Sequence, residues 1–238
     1  MNVNGRMGAQ IGAPLSWSAK SLDDILSCAG SRKLEAGRAN RPPDFSGFDG
    51  DGGWDDIGGI SMGSVPVKAR FKAMYDADNL YVLVETDLAD DVAVTEYTRD
   101  AHVWNDEVVD ILLAPGDTRD IYYHLIYGVG ADARYDDATG LIIDMLDPDY
   151  GKADAMWNGK GWKTESRRGD GKWRSIATLP YSDFGVAAPK PGDTWFINVG
   201  RIARTGKERK DEVLMLWSPN FESRSLVAPN AMGKLIFK

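Results

Sequence analysis

The 238-residue chain is 43% hydrophobic and 27% charged, the balance of an ordinary globular protein, with enough length for one large domain or two small ones. Its formal net charge of -8 and sequence pI near 4.9 argue against nucleic acid or an anionic membrane as partner, and suit a neutral ligand such as a sugar, or a cation. A single cysteine, Cys28, excludes an internal disulfide, and no apolar run reaches the ~18 residues that would read as a membrane span.

Residues 1–43 read as an N-terminal extension or linker, rich in Gly, Ala and Ser. The opening MNVNGRMGAQIGAPLSW has no apolar core, so no signal peptide is visible. SLDDILSCA is a short helix candidate, with Ser21 as N-cap and Asp23 and Asp24 in its first turn. The Pro- and Gly-dense RANRPPDFSGFDGDGGW follows as an irregular loop.

From residue 64 onward the pattern is β. VPVKARFKAMYD alternates apolar and polar, and LYVLVETD follows the tight turn DADN, so the two predict a hairpin. Further strands are expected at 108–114, 120–129, 141–146, 162–168, 172–179, 195–203, 212–217 and 233–237, with Asp170-Gly171 turning one hairpin. About ten strands without helical periodicity predict an all-β fold: an antiparallel two-sheet β-sandwich, jelly-roll-like, with a short N-terminal extension.

The motifs for covalent and phosphate chemistry are missing. One Cys and two His, His102 and His124, with no G-x-S-x-G elbow, give no nucleophile–base pair and no zinc set. DGDGGW lacks the lysine and following helix of a phosphate loop. Thirty-six acidic residues always contain some carboxylate pair, so a glycosidase dyad has no specific signal. The oxygen-rich turns DADN, DLADD and DMLDPD could hold a structural Ca²⁺, with Asp76, Asp78, Asp87 and Asp90 as candidate ligands; Asp and Asn also favour turns on their own account.

Asp110 stands out, a carboxylate inside the apolar strand VVDILLA. Burying it alone costs several kcal/mol. Strand parity puts Val108, Asp110 and Leu112 on one face and Val109, Ile111 and Leu113 on the core face. On the next strand, Tyr122, His124 and Ile126 share a face. Asp110 either faces a ligand or is neutralised, by Arg201 or by His124. Of the eight tryptophans, for which core packing is the ordinary role, Trp104 lies in the polar segment TRDAHVWNDE, where a loop would expose it to stack against a sugar.

The segments FDGDGGWDDI, KARFKAMYDADNLYVLVETD, WFINVGR, LWSP and APNAMGKLIFK resemble, in order and spacing, the motifs of family 9 carbohydrate-binding modules, over residues 44–238. Trp104, Glu107 and Asp110 resemble the family's W-x-x-D-x-x-E element with the acidic residues exchanged. The resemblance implies a DOMON-like β-sandwich without catalysis, binding an oligo- or polysaccharide of plant type, such as xylan or cellulose fragments. It implies Trp104 as stacking platform and Asp110, His124, Asn198 and Arg201 as hydrogen-bonding groups. Structural calcium, no organic cofactor, an attached or associated glycoside hydrolase, and an extracellular or periplasmic setting are implied as well. The family's second tryptophan is absent, and only Phe221 offers an aromatic ring near that place. Two alternatives stand beside this reading: a haem-binding domain on the same architecture, needing an axial His or Met, and a sandwich with a protein-interaction role that has lost sugar binding.

Overall fold

A computed structural model describes residues 30–61, 67–88, 92, 98–130, 133–139, 153–154, 157–205, 211–220 and 226–238. The helix candidate at 21–29, the strand expected at 141–146, and the candidates Asp90 and Phe221 lie outside the described residues.

Fourteen strands follow in chain order. They are β1 (Lys33–Arg38), β2 (Asp55–Asp56), β3 (Gly58–Ser61), β4 (Ala69–Tyr75), β5 (Asn79–Asp87), β6 (Val108–Ala114) and β7 (Tyr122–Gly128). Then come β8 (Arg134–Thr139), β9 (Ala153–Asp154), β10 (Lys163–Gly169), β11 (Lys172–Pro180), β12 (Thr194–Thr205), β13 (Asp211–Leu216) and β14 (Gly233–Phe237). One sheet runs β10-β11-β5-β4, with β2 on β4; the other runs β14-β12-β6-β7-β8-β9, with β13 on β12 and β3 on β13. The expected all-β sandwich is present.

One strand departs from the expected antiparallel pattern. β1, in the stretch read as extension, runs parallel to β14 (Leu34 opposite Leu235) and, further along, to β4 (Arg38 opposite Tyr75). It thereby joins the two sheets at one side. Leu34 and Ala36 point into the core, and Lys33, Glu35 and Gly37 point away.

The core lies between the sheets. Val109, Ile111, Leu113, Leu125, Tyr127, Ile197 and Val199 meet Phe71, Leu80, Val82, Val84, Trp173 and Leu179. Trp162, Trp173 and Trp217 are fully buried. The β4–β5 turn is held by Asp76, whose Oδ1 accepts from the backbone N–H of Asp78 (2.9 Å) and Asn79 (2.8 Å). The β10–β11 turn has φ of +54° at Asp170 and +68° at Gly171, the two left-handed residues that a two-residue hairpin loop requires.

Candidate functional site

The outer face of the β12-β6-β7-β8 sheet carries the unusual polar residues. Directly opposite neighbours across β6 and β7 are Asp110 with Ile126 and Leu112 with His124, and across β7 and β8 His124 with Asp137 and Ile126 with Tyr135. Even-numbered residues of β6 and β7 and odd-numbered residues of β8 therefore share this face.

Asp110 is buried, at 3% exposure, and its partner is His124: His124 Nε2 lies 2.9 Å from Asp110 Oδ2. The other ring nitrogen, Nδ1, lies 3.7 Å from Asp137 Oδ2, and the Tyr135 hydroxyl donates to that same oxygen at 2.7 Å. The chain of contacts is Asp110, His124, Asp137, Tyr135. Burial, the largest influence on the imidazole, works against its charge; the carboxylates of Asp110 and then Asp137 outweigh it and raise the ring to about 10. His124 is thus an imidazolium at neutral pH, clamped between two carboxylates. Both its nitrogens are engaged, so it offers no free nitrogen as an axial ligand for haem. No donor among the described residues reaches Asp110 Oδ1.

Beside this network stands Trp104, in a single 3₁₀ turn, Val103–Asn105. Val103 anchors the turn, fully buried with Val108 and Ile126, and Trp104 is left half-buried. Tyr135 meets the indole edge-on at 5.1 Å and 88°, and the exposed His102 ring lies over part of it at 4.8 Å and 31°. Tyr135 therefore links the aromatic platform to the carboxylate network. Opposite Asp110 in register is Gly200; a methyl group there would come within 3.1 Å of the Met215 carbonyl and 3.2 Å of Leu216 Cδ2. A side chain there would force these neighbours to give by a few tenths of an ångström.

Four of the sequence candidates, Trp104, Asp110, His124 and Asn198, lie on or beside this face. Asn198 is 1% exposed and its amide is used internally: Nδ2 donates to the Ser218 carbonyl (2.8 Å), and Oδ1 accepts from the N–H of Ser218 (2.9 Å) and of Val199 (3.1 Å). It fixes the chain leaving β13.

Arg201 is corrected. It follows Asn198 by three residues in one strand, and an odd spacing puts it on the opposite face, between the sheets, at 0% exposure. Its partner is Glu107, not Asp110; Glu107 in turn accepts the Arg204 N–H at 2.9 Å. Arg201 also donates to Thr86 Oγ1 (3.3 Å) and sits over the Trp173 ring at 5.3 Å. It belongs to the core and cannot touch a ligand on the outer face.

The calcium candidates that are described do not fit a metal. Asp76 has both oxygens occupied, Oδ1 by the turn and Oδ2 by the Tyr81 hydroxyl at 2.6 Å. Asp87 accepts from the Lys68 N–H at 2.8 Å and pairs with Lys172. The two turns also lie at opposite ends of the nine-residue β5, about 25–30 Å apart. Asp78 is exposed on the first of them.

Sequence reasoning missed Asp137 and Tyr135. Their strand, RYDDAT, has two consecutive acids and no apolar alternation. The available signal was parity: adjacent acids in a strand must face opposite ways, and Asp136 is indeed turned inward, accepting from Arg99 and from the N–H of Gly159 (3.1 Å).

The fold and this face together define a β-sandwich with an aromatic-rimmed polar surface on one sheet. Residues 57–130 match the family model described as carbohydrate family 9 binding domain-like, so the resemblance read from the sequence is borne out over that stretch. That description is of a binding domain, not of an enzyme. No curated protein matches the chain. Among solved structures, a candidate carbohydrate-binding protein from Bacteroides uniformis ATCC 8492 superimposes with a TM-score of 0.66 at 14% identity, covering 87% of this chain and 100% of that one. A family 9 carbohydrate-binding module from Caldicellulosiruptor kristjanssonii in complex with cellotriose gives 0.58 at 16% identity, covering 87% and 94%. The same kind of module in complex with glucose gives 0.59 at 16%, covering 87% and 96%. At these identities the likeness is one of fold.

Proposed function

We propose that the chain is a non-catalytic carbohydrate-binding module whose site is the outer face of the β12-β6-β7-β8 sheet. The observation that carries this reading is Asp110. One oxygen is fixed by His124, while Oδ1 meets no donor among the described residues and stands on the same face as the half-buried Trp104. A sugar needs that pairing: an aromatic surface for its C–H face and an oriented acceptor for its hydroxyls. His124 Nε2, 2.9 Å from Oδ2, holds the Asp110 carboxyl in place inside an apolar surround. Tyr135 supports the indole.

A β-glucan or xylan oligosaccharide is the ligand class favoured, because the fold neighbours include modules in complex with cellotriose and with glucose. The same reading carries an extracellular or periplasmic setting and a glycoside hydrolase as associated partner.

Calorimetry with cello- and xylo-oligosaccharides, with and without EDTA, tests the proposal. Trp104→Ala should weaken binding by about tenfold or more, the scale of one lost stacking contact, with the unfolding midpoint little changed. Undiminished binding by that variant would remove the site from this face.

A further inference from the structure

A second site lies on the other side of β8. Arg134, like Asp136, is turned inward from that strand, away from the Trp104 face. Here, between the edges of the two sheets, lies a half-open pocket of about 430 Å³, lined by Val129, Gly130, Arg134, Lys163, Thr164, Ser166 and Arg168. Its described lining residues include three cations, of which Arg134 and Arg168 are turned toward it, and two hydroxyls, and no carboxylate. In a chain of net charge -8, that is a local reversal of sign.

The lining groups are arranged as donors. Thr164, Ser166 and Arg168 alternate along β10 and so share its inward face, Arg168 standing opposite the buried Trp173. The Trp173 indole N–H donates to Ser166 Oγ at 3.1 Å, which leaves the hydroxyl proton of Ser166 to be given to something else. Arg134 is positioned from the far wall: its Nη1 donates to the Trp162 carbonyl at 2.7 Å and its guanidinium lies over the Trp162 ring at 5.3 Å. The remaining N–H groups of that guanidinium are not used by this bond. Arg168 has no carboxylate partner among the described residues. Lys163 stands at the rim on the other face of β10, beside Glu165 at 3.9 Å, both side chains being well exposed. Among the described strands β10 pairs with β11 alone.

We propose that this cavity is an anion-binding subsite that takes the carboxylate of an acidic saccharide, a uronic acid unit of a polysaccharide. Two guanidiniums and two hydroxyls line one space, a donor set that suits a planar carboxylate. The volume exceeds what a bare ion needs, a water molecule occupying about 30 Å³ in the liquid, and admits a sugar ring against Val129. The choice of a saccharide as bearer of the carboxylate rests on the function proposed above; the anion site itself does not.

The test uses the full chain and three probes: oligogalacturonate, the matching neutral oligosaccharide, and sodium sulfate, each titrated into the wild type, Arg168→Gln and Trp104→Ala. Arg168 is exposed and has no ion pair among the described residues, so its replacement leaves the fold intact. The proposal expects oligogalacturonate binding that weakens with added salt and falls about tenfold in Arg168→Gln, the scale of one charged hydrogen bond, while Trp104→Ala retains it. Equal binding by Arg168→Gln and wild type would overturn the site. Sulfate that matches oligogalacturonate in affinity would overturn the saccharide as its ligand. Loss of the neutral sugar in Trp104→Ala with retention of oligogalacturonate separates this site from the outer face. If the neutral sugar never binds but oligogalacturonate does, the outer-face proposal fails and this one stands.

Discussion

Asp110 is buried among Val108, Leu112 and Ile126, and His124 makes that burial tolerable by meeting it with positive charge. Removing His124 leaves Asp110 buried without its partner, and removing Asp110 leaves His124 only the longer contact to Asp137; breaking a buried pair in this way costs about 3–5 kcal/mol. Asp110→Ala should therefore lower the urea midpoint by that order, and the His124 ring, followed by NMR, should titrate well below its wild-type value. The pH dependence has a definite sign. The ring titrates near 6.5 in the unfolded chain and is raised to about 10 in the fold. Its contribution is complete below about pH 6.5 and is lost as pH climbs toward 10. Unfolding midpoints in urea should fall across pH 7–10, and His124→Gln should flatten that decline. Gly200→Ala should also be destabilising, because the Met215 carbonyl is backbone and cannot yield as a side chain would. Asp110 itself was legible as an anomaly from sequence alone. Which of two partners neutralises it was not, since that depends on the lateral placement of β7 and β12 about β6.

At the scale of strands, the two-residue period decides which groups can meet. Applied to β6 and β7, it places Asp110 and His124 correctly on one face. Applied to Asn198 and Arg201, three apart, it separates them, and the structure does so. A shared segment in a motif is therefore not a shared site. Arg201 instead ties β12 to β5 and β11 across the core, with Glu107 as counter-charge. Glu107→Gln or Arg201→Met alone should cost about 3–5 kcal/mol in chemical denaturation, and the double variant less than their sum, because each single change leaves an unpaired buried charge. β8 was not legible because its apolar content is small: its inward side is carried by Arg134, Asp136 and Ala138, paired or tiny, rather than by large hydrophobics. The β4–β5 and β10–β11 hairpins were legible because DADN and DG specify their turns locally.

At the scale of the molecule, the sandwich follows from strand number and alternation, whereas the closure of one side by β1 does not. KLEAGR is short, with only Leu34 and Ala36 buried, and nothing in six residues announces a parallel partner. Its importance is positional, since it hydrogen-bonds both sheets. Deleting residues 30–38 should broaden thermal unfolding or abolish its cooperativity, as followed by calorimetry, beyond what the loss of two small apolar groups would give. The parallel register has a mechanical side too. β1 and β14 point the same way, so tension applied ahead of Lys33 and beyond Phe237 pulls along the strands in opposite senses. Their hydrogen bonds are then loaded together in shear rather than peeled one at a time. A module tethered at those two points should resist stretching in force spectroscopy more strongly than one pulled across its β10–β11 hairpin, where the bonds open in sequence. The stiffness of the fold is thus anisotropic, high along the β1–β14 direction and low across the β10–β11 hairpin.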